Sequence, residues 1–317
     1  MIESSTPSII IPVLNNPQGL RRCIEALRGQ GIAFELIVVD NGSTDKTCAV
    51  AELHADRVLI CPKLTVGALR NQGAQVAKGQ ILVFTDSDQR PAEGWLASGL
   101  EALAREESAG MVGARYHAPE GSSWVAKTLD LQRRYSDVPG DIGWLEGGNL
   151  FVKRAAFERV GGFRTDLVAS EDVDLSFRVR KAGFRVICDP KIIIYHDGDP
   201  QTLIDFFRKE RWRGTSGWKA WATQGYPLSE LPSLLWPFWV VMGLVVVLLG
   251  ACLSVWMLGI GKGLAILFLL LILLVAPSIV RAVQIGRRLH AGPIGTIRMS
   301  LLLIVYGAAR FPLGNPL

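Results

Sequence analysis

The pattern of hydrophobic and polar positions divides the chain into two parts. Up to residue 199, short runs of branched apolar residues at 8–14, 34–40, 57–60 and 80–85 alternate with segments of helical spacing. Continuous apolar runs are typical of parallel strands that are buried on both faces. The alternation predicts an α/β domain with a mixed, mainly parallel sheet flanked by helices, and it places ligands at the carboxyl ends of the strands.

The ends of the predicted helices carry recognisable signals. A helix over 17–30 is closed by glycines, and a second helix over 43–55 has Ser43 or Thr44 as its N-terminal cap. A third helix ends at Gly79. A later helix begins after the cap residue Ser170 and stops at Gly183 in a Schellman-like turn.

The segment beyond residue 233 is dominated by apolar residues. Residues 234–258 contain no charge, and residues 263–280 form a second uncharged run, each long enough for one membrane span of about 20 residues. Residues 297–311 are apolar but brief, which indicates a short or interfacial element. Buried core helices are the alternative, but two long uncharged runs in series favour a membrane. We therefore predict three regions: a catalytic domain (1–199), an interfacial amphipathic linker (200–232) and a membrane region of two to three helices (233–317).

The distribution of charge predicts the orientation. Four arginines follow the second apolar run within 281–298, whereas the loop between the two runs carries only Lys262. The positive-inside rule then places the α/β domain on the cytoplasmic side of the inner (plasma) membrane. Two further features agree with a cytoplasmic domain. The five cysteines are scattered and form no paired motif, and the polar N-terminal segment lacks the basic region of a signal peptide. The net charge of +5 is modest, and we expect no nucleic acid as a partner.

Two acidic motifs follow predicted strands. Asp40 ends the second strand in "VVDNGSTD", where it belongs either to an ordinary turn or to a nucleotide site. Asp86 and Asp88 end the fourth strand in "TDSD". Two carboxylates at this spacing can face one divalent cation, since Mg²⁺ and Mn²⁺ prefer oxygen ligands and bridge to phosphates. An acidic surface turn is the alternative.

Three further positions admit both a structural and a functional interpretation. Arg70, near the start of its helix, is suited to a phosphate or to a solvated helix face. Glu171 and Asp172 either complement the helix dipole or supply a general base. His196, after the run "KIIIY", is either structural or a third metal ligand.

Taken together, these stretches resemble the family 2 glycosyltransferases, which bind nucleotide sugars with a fold called GT-A. The resemblance covers about residues 7–215 and rests on the order of "IIIPVLNN", "VVDNGSTD", "LRNQGAQVAKGQILVFTDSD", "GGNLFVKRAAFERVGGF" and "SEDVDLSFRVRKAGF". One departure is "RKERW", where Arg208 replaces the glutamine of the family's Gln-x-x-Arg-Trp motif. We therefore infer no processive polymer synthesis.

The resemblance implies roles for individual residues. Asp172 would be the catalytic base, with Glu171 beside it. Nucleotide-sugar contacts are expected from Pro12, Asn15, Asp40, Asn41, Ser43, Arg70, Asn71 and Asp86. Acceptor-side contacts are expected from Gly148, Asn149, Arg211 and Trp212. A divalent metal, Mg²⁺ or Mn²⁺, is expected on Asp88, Asp86 and His196.

The implied reaction is an inverting transfer from a nucleoside-diphosphate sugar. Aromatic and basic residues at 200–221, next to the first span, suggest a lipid-linked or glycan acceptor at the bilayer, although they would also serve as a simple anchor. Two alternatives stay open, a nucleotidyl or phosphoryl transferase acting on a lipid and a membrane scaffold that has lost catalysis. A dinucleotide-dependent dehydrogenase is disfavoured because the first strand is not followed by Gly-x-Gly-x-x-Gly.

Overall fold

The computed structural model describes residues 6–136, 138–215, 217–223 and 231–311. The chain divides into two compact units. The first comprises Met1–Glu120 and Ser136–Asp199, and the second comprises Gly121–Tyr135 and Pro200–Leu317. The second unit thus includes a segment near residue 130 that the sequence analysis assigned to the catalytic domain.

In the described part of the chain, the first unit contains all ten strands and six of the seven helices that lie between residues 8 and 199. The seventh, Trp124–Ser136, lies almost entirely in the second unit. The strands are β1 (Ser8–Val13), β2 (Glu35–Asp40), β3 (Arg57–Ile60), β4 (Ile81–Thr85), β5 (Gln89–Pro91), β6 (Ala109–Gly113), β7 (Gly140–Asp141), β8 (Asn149–Lys153), β9 (Arg185–Cys188) and β10 (Ile194–His196). The helices are α1 (Pro17–Arg28), α2 (Thr47–His54), α3 (Val66–Val76), α4 (Trp95–Arg105), α5 (Trp124–Ser136), α6 (Arg154–Arg159), α7 (Glu171–Lys181), α8 (Leu203–Gly214), α9 (Gly217–Thr223), α10 (Leu231–Leu258), α11 (Ile260–Leu289) and α12 (Gly292–Arg310).

The main sheet confirms the predicted α/β fold. Its strand order is β3-β2-β1-β4-β8-β6-β9-β7, and β1 pairs in parallel with both β2 and β4. Strand β8 runs antiparallel to its neighbours β4 and β6. Because of that reversal, Asn149 at the start of β8 lies beside Thr85 at the end of β4. The segment before β8 therefore reaches the edge where the parallel strands end.

Two hydrophobic layers cover the faces of the sheet. Along β1, Ile9 and Ile11 pack into one layer, and Ile10 packs into the other. All three are fully buried. A strand between two helical layers needs apolar residues on both faces, which explains the uninterrupted apolar runs.

The structure corrects two predicted caps. Ser170 precedes α7, but its backbone is left-handed (φ 66°) and its side chain makes no capping hydrogen bond in the described structure. Helix α2 begins later than predicted, after Lys46, and Ser43 instead accepts a hydrogen bond from the backbone of Asn15 at 2.8 Å.

Of two predicted helix ends, the structure confirms one and corrects the other. At the end of α7, the Gly183 N–H bonds to Arg180 O at 3.0 Å and the Phe184 N–H to Val179 O at 3.2 Å, which confirms the Schellman turn. Helix α3, however, stops at Val76, before Gly79. A Cβ at Gly79 would lie 2.6 Å from Thr6 O, so this glycine permits close packing on the backbone before β1.

The second unit carries the apolar helices. Three stretches are long and apolar enough to cross a membrane by length and composition: Leu234–Met257, Ile260–Leu289 and Gly292–Arg310. The third is longer than the sequence suggested, since it starts at Gly292 with a proline in its first turn, a position that tolerates proline.

A buried ion cluster joins α8 to α12 within the second unit. Glu210 is 3% exposed and accepts hydrogen bonds from Arg213 Nη1 and Arg310 Nε, each at 2.8 Å. Burial raises the pKa of Glu210, but the two arginines outweigh it and lower the pKa. The carboxylate is therefore charged at neutral pH.

Candidate active site

Asp40 lies at the carboxyl end of β2, and only one of its two carboxylate oxygens takes part in the turn. Its Oδ2 accepts hydrogen bonds from the backbone N–H groups of Gly42 (3.0 Å) and Ser43 (2.8 Å). Its Oδ1 is buried and has no hydrogen-bond partner among the described residues. Since buried acceptors are normally paired, this oxygen suits an N–H or O–H donor of a ligand.

The other predicted nucleotide residues of these loops hold the loops together. Asn15 has a left-handed backbone (φ 48°), and its Oδ1 accepts a hydrogen bond from the Thr44 N–H at 2.9 Å. The Asn41 side chain pairs with the backbone of Leu64 at 2.9 and 3.1 Å. Pro12 is buried inside β1. These contacts shape the rim around Asp40.

Arg70 is the centre of an ion cluster that links three elements. It is 2% exposed, and it donates from Nη2 to Asp86 Oδ1 and from Nη1 to Glu171 Oε1, both at 2.7 Å. Its Nε finds no acceptor within the described part of the chain. The Phe163 ring lies 5.4 Å from the guanidinium carbon. Arg70 thus connects α3, the end of β4 and the start of α7.

Asn71, next to Arg70, is structural. Its side-chain amide exchanges two hydrogen bonds with the backbone of Phe163, at 2.8 and 2.9 Å. This pairing fixes the loop that packs its aromatic ring against Arg70.

The two adjacent carboxylates on α7 have different surroundings. Burial and the charge of Asp172 raise the pKa of Glu171 to about 7, although Arg70 opposes the shift. Asp172 is half-buried, with Oδ2 accepting from the Gly147 N–H (3.0 Å) and Oδ1 from the Val173 N–H (2.8 Å). Glu171 therefore belongs to the interior, whereas Asp172 is partly exposed to solvent.

Asp88 and His196 form a second polar group at the same edge. The Asp88 side chain is 35% exposed, and its Oδ2 lies 3.6 Å from His196 Nε2. The other ring nitrogen of His196 lies 2.8 Å from Asp199 Oδ1. A carboxylate and an imidazole are suitable ligands for Mn²⁺ or Mg²⁺, although Mg²⁺ favours oxygen.

The donor set fits a metal whose remaining ligands come from a substrate. In the described residues, no group of three His, Cys, Asp or Glu is arranged to hold an ion. Asp86, the third predicted ligand, is already bound to Arg70. Metals that act on phosphates are commonly held by one or two protein carboxylates, with phosphate and water completing the shell. Asp88 and His196 match that pattern.

The predicted acceptor-side residues belong to two units, Gly148 and Asn149 to the first and Arg211 and Trp212 to the second. Gly148 packs against Asp86 and Gln89, whereas Asn149 is fully buried. The Asn149 amide accepts from Trp95 Nε1 at 2.7 Å and donates to two backbone carbonyls, so it holds the sheet together. Arg211 and Trp212 are exposed on α8 of the second unit, and their acceptor role stays a prediction.

Three residues that the sequence analysis did not single out contribute to the site. The Tyr116 hydroxyl accepts a hydrogen bond from the Gly148 N–H at 2.8 Å, and its ring stacks on His196. Gln89 is fully buried and accepts from the Asp86 N–H at 3.2 Å. Asp199 contacts His196 as described above. None belongs to a motif, although Asp199 follows His196 closely enough for a spacing argument to include it.

Similar sequences among known proteins include two glycosyltransferases. The pre-mycofactocin glycosyltransferase of Mycobacterium tuberculosis is 31% identical over 224 residues, which are 66% of this chain and 46% of that protein. The chain thus spans about half the length of this relative. Glycosyltransferase AglE of Haloferax volcanii is 27% identical over 251 residues, covering 74% of this chain and 80% of that protein.

Solved structures share the fold at low sequence identity. The mannosyltransferase PcManGT from Pyrobaculum calidifontis, solved in complex with GDP-Man and Mn²⁺, has a TM-score of 0.61 and is 17% identical, covering 96% of this chain and 86% of its own. S. aureus TarS in complex with UDP-GlcNAc has a TM-score of 0.50 and is 17% identical, covering 67% and 66% of the two chains. The predicted GT-A-like fold is confirmed.

A family model agrees with the motifs. The model of glycosyl transferase family 2 matches residues 8–161, which include Asp40, Arg70, Asp86 and Asp88. Through residues 8–161, therefore, the chain belongs to glycosyl transferase family 2.

Proposed function

We propose that the protein is an inverting glycosyltransferase that moves a sugar from a nucleoside-diphosphate donor to a lipid-linked acceptor at a membrane. The observation that carries the proposal is the Arg70 cluster. Its two 2.7 Å contacts tie the end of β4, which carries the metal-type carboxylates, to the start of α7, which carries Asp172. A donor-side and an acceptor-side group are thereby held at one edge of the sheet.

The donor site is built on Asp40, Asp88 and His196. The unpaired Asp40 oxygen accepts a hydrogen bond from the base or ribose. A Mg²⁺ or Mn²⁺ ion on Asp88 and His196 would neutralise charge on the leaving diphosphate. The structural relatives support this class of donor, because they were solved with GDP-Man and UDP-GlcNAc.

Asp172 acts as the general base. It accepts the proton of the acceptor hydroxyl while that oxygen forms a bond to the anomeric carbon. The bond from that carbon to the diphosphate breaks on the opposite side, so the configuration inverts and a nucleoside diphosphate leaves. The backbone N–H groups of Gly147 and Val173 hold the carboxylate in place for this step.

The lipid-linked acceptor is supported by the second unit. Three of its helices are apolar and long enough to cross a membrane, and α8 presents exposed Ile204 and Trp212 beside basic residues. Aromatic and basic side chains of this kind belong at a headgroup interface. We place the protein in the inner membrane, with its catalytic unit on the cytoplasmic side.

The test compares Asp172→Asn with a matched surface variant, Asp166→Asn, whose parent residue pairs with Arg164 at the surface. We expect Asp172→Asn to slow release of the nucleoside diphosphate by about 10²- to 10⁴-fold with a hydroxyl acceptor. Donor binding should be kept in both variants. Undiminished transfer by Asp172→Asn would overturn the base assignment.

Thermal stabilisation by UDP, GDP, dTDP and CMP, each with and without Mn²⁺, tests the donor site. A nucleotide at a hundredfold over its Kd stabilises the folded protein by about 2.7 kcal/mol. No stabilisation by any of them would favour the scaffold alternative. Release of pyrophosphate instead of a nucleoside diphosphate would favour the nucleotidyl transferase.

A further inference from the structure

His196 is enclosed by groups from several segments of the first unit. Asp199 Oδ1 lies 2.8 Å from Nδ1, and Asp88 Oδ2 lies 3.6 Å from Nε2. The Tyr116 ring is parallel to the imidazole within 5°, at a centroid distance of 5.0 Å. The backbone N–H of His196 donates to His117 O at 3.0 Å. The ring thus has a fixed plane and a fixed rotation.

The contact with Asp199 decides which ring nitrogen carries the proton. The Asp199 side chain is fully buried, and an ionised carboxylate can only accept hydrogen bonds. With Asp199 ionised, the 2.8 Å contact is a hydrogen bond that Nδ1–H donates. In that tautomer Nε2, which lies 3.6 Å from Asp88 Oδ2, carries a lone pair.

The spacing between Asp88 and His196 fits a shared cation. A distance of 3.6 Å is too long for a hydrogen bond. Two ligands that each bind one metal at about 2.1 Å lie roughly 3 Å apart, so a small shift of the half-exposed Asp88 side chain would complete the pair.

Tyr116 connects this ring to the loop that holds Asp172. Its hydroxyl accepts the Gly148 N–H at 2.8 Å, and the preceding N–H, of Gly147, donates to Asp172 at 3.0 Å. A continuous series of contacts therefore runs from the base to the metal-type histidine.

We propose that Asp199 is a positioning residue, which holds the proton on Nδ1 of His196 so that Nε2 is free to bind the metal, and that the Tyr116 ring fixes the plane of the imidazole. The proposal deepens the proposed function and rests on its cation site. Outer-shell carboxylates of this kind orient a histidine ligand, and their loss typically weakens metal affinity 10- to 100-fold.

The first experiment measures Mn²⁺ affinity by electron paramagnetic resonance, with GDP or UDP present, for the wild type, Asp199→Asn and Asp197→Asn. Asp197 is the matched control, since its carboxylate pairs with Arg22 and Arg90 instead of the histidine. We expect Asp199→Asn to bind Mn²⁺ 10- to 100-fold more weakly and Asp197→Asn to change less than twofold. Melting curves without ligand verify that each variant is folded.

The second experiment observes the tautomer directly and needs no metal. The chain has four histidines, so ¹⁵N-histidine labelling gives four rings, and His196→Gln assigns the one of interest. We expect a proton on Nδ1 alone in the wild type and a shift toward the Nε2–H form in Asp199→Asn. Protons on both nitrogens in the metal-free wild type would overturn the proposal, because the ring would then be a cation paired with both carboxylates.

The outcomes separate this inference from the proposed function. Normal Mn²⁺ affinity in folded Asp199→Asn would overturn the inference and leave the glycosyltransferase assignment intact. If the wild type bound no Mn²⁺, the inference would fail along with the cation site, and nucleotide binding would then decide whether the donor site itself stands.

Discussion

Each unit of the molecule contains a three-residue ion cluster, and the two clusters have opposite composition. In the first unit, one buried cation, Arg70, is shared by Asp86 and Glu171. In the second, one buried anion, Glu210, is shared by Arg213 and Arg310. With all groups ionised, the first cluster carries an excess negative charge and the second an excess positive charge.

In both units a buried ion cluster holds neighbouring elements together. The net charge of the cluster differs between the two units. In the proposed function, excess negative charge beside Asp88 would favour the divalent cation that accompanies a diphosphate donor. Excess positive charge at the end of an apolar helix would favour the proposed location at anionic headgroups. The outer groups of the two clusters also differ in solvent access, since Arg213 and Arg310 are 34% and 27% exposed, whereas Asp86 and Glu171 are 27% and 9% exposed.

The largest effect is expected from Arg70→Met, which leaves two carboxylates facing each other in the interior. Losing one partner of a buried ion cluster costs about 3 kcal/mol of unfolding free energy, and transfer should fall to background because α7 loses its tie to β4. Denaturant unfolding in detergent measures the first effect, and nucleoside-diphosphate release measures the second. Arg70→Lys is the control, as it keeps the charge without the two-armed geometry. A loss below about 1 kcal/mol in Arg70→Met would contradict the central role of this residue.

A smaller effect is expected from Glu210→Gln. The two arginines that lose their partner still reach water, so the cost should be about 1–2 kcal/mol, below that of a fully buried pair. Nucleotide-induced stabilisation should be unchanged, which distinguishes this cluster from that of Arg70. Glu158→Gln, which removes an exposed partner of Arg154, is the control and should shift the melting temperature little. Loss of nucleotide binding in Glu210→Gln would show that the two clusters do not act separately.

The smallest effect is a difference in pH dependence. The pKa of Glu171 rises from 4.5 to about 7 on folding, so its contribution to stability is fully present below pH 4.5 and is lost as the pH rises toward 7. The pKa of Glu210 is lowered, so its contribution is present above pH 4.5 and is lost at more acidic pH. Unfolding of Glu171→Gln and Glu210→Gln measured from about pH 3 to pH 8 should give opposite trends relative to the wild type, above pH 4.5 for Glu171→Gln and below pH 4.5 for Glu210→Gln. Parallel trends would contradict the assignment of the two environments.

The sequence was sufficient for the parts of the site that depend on strand direction. Asp40 and Asp88 follow buried parallel strands, and the carboxyl ends of such strands meet at one edge. The alternating pattern also gave the fold class, because apolar runs without polar interruptions need helices on both faces.

The remainder depends on contacts between distant segments. The apolar residues at 149–153 do not indicate that β8 is antiparallel. The direction of β8 decides which residues lie near the site. The sequence did not predict that the Asn149 amide bonds to Trp95 and to two carbonyls in the core, and its acceptor-side role stays a prediction. The Tyr116 ring stacks on His196 and its hydroxyl accepts the Gly148 N–H, two contacts that no motif encodes.

The reversed strand also has a consequence for biosynthesis. Arg70 and its partner Glu171 are 101 positions apart, and Arg70 precedes β8 in the chain whereas Glu171 follows it. A ribosome that adds about 5–20 residues per second needs on the order of 5–20 seconds to pass from one to the other. During that interval the first four strands can already pair, yet the Arg70 cluster is incomplete. A nascent chain therefore completes the loops that follow its first four strands well before Glu171 can reach Arg70.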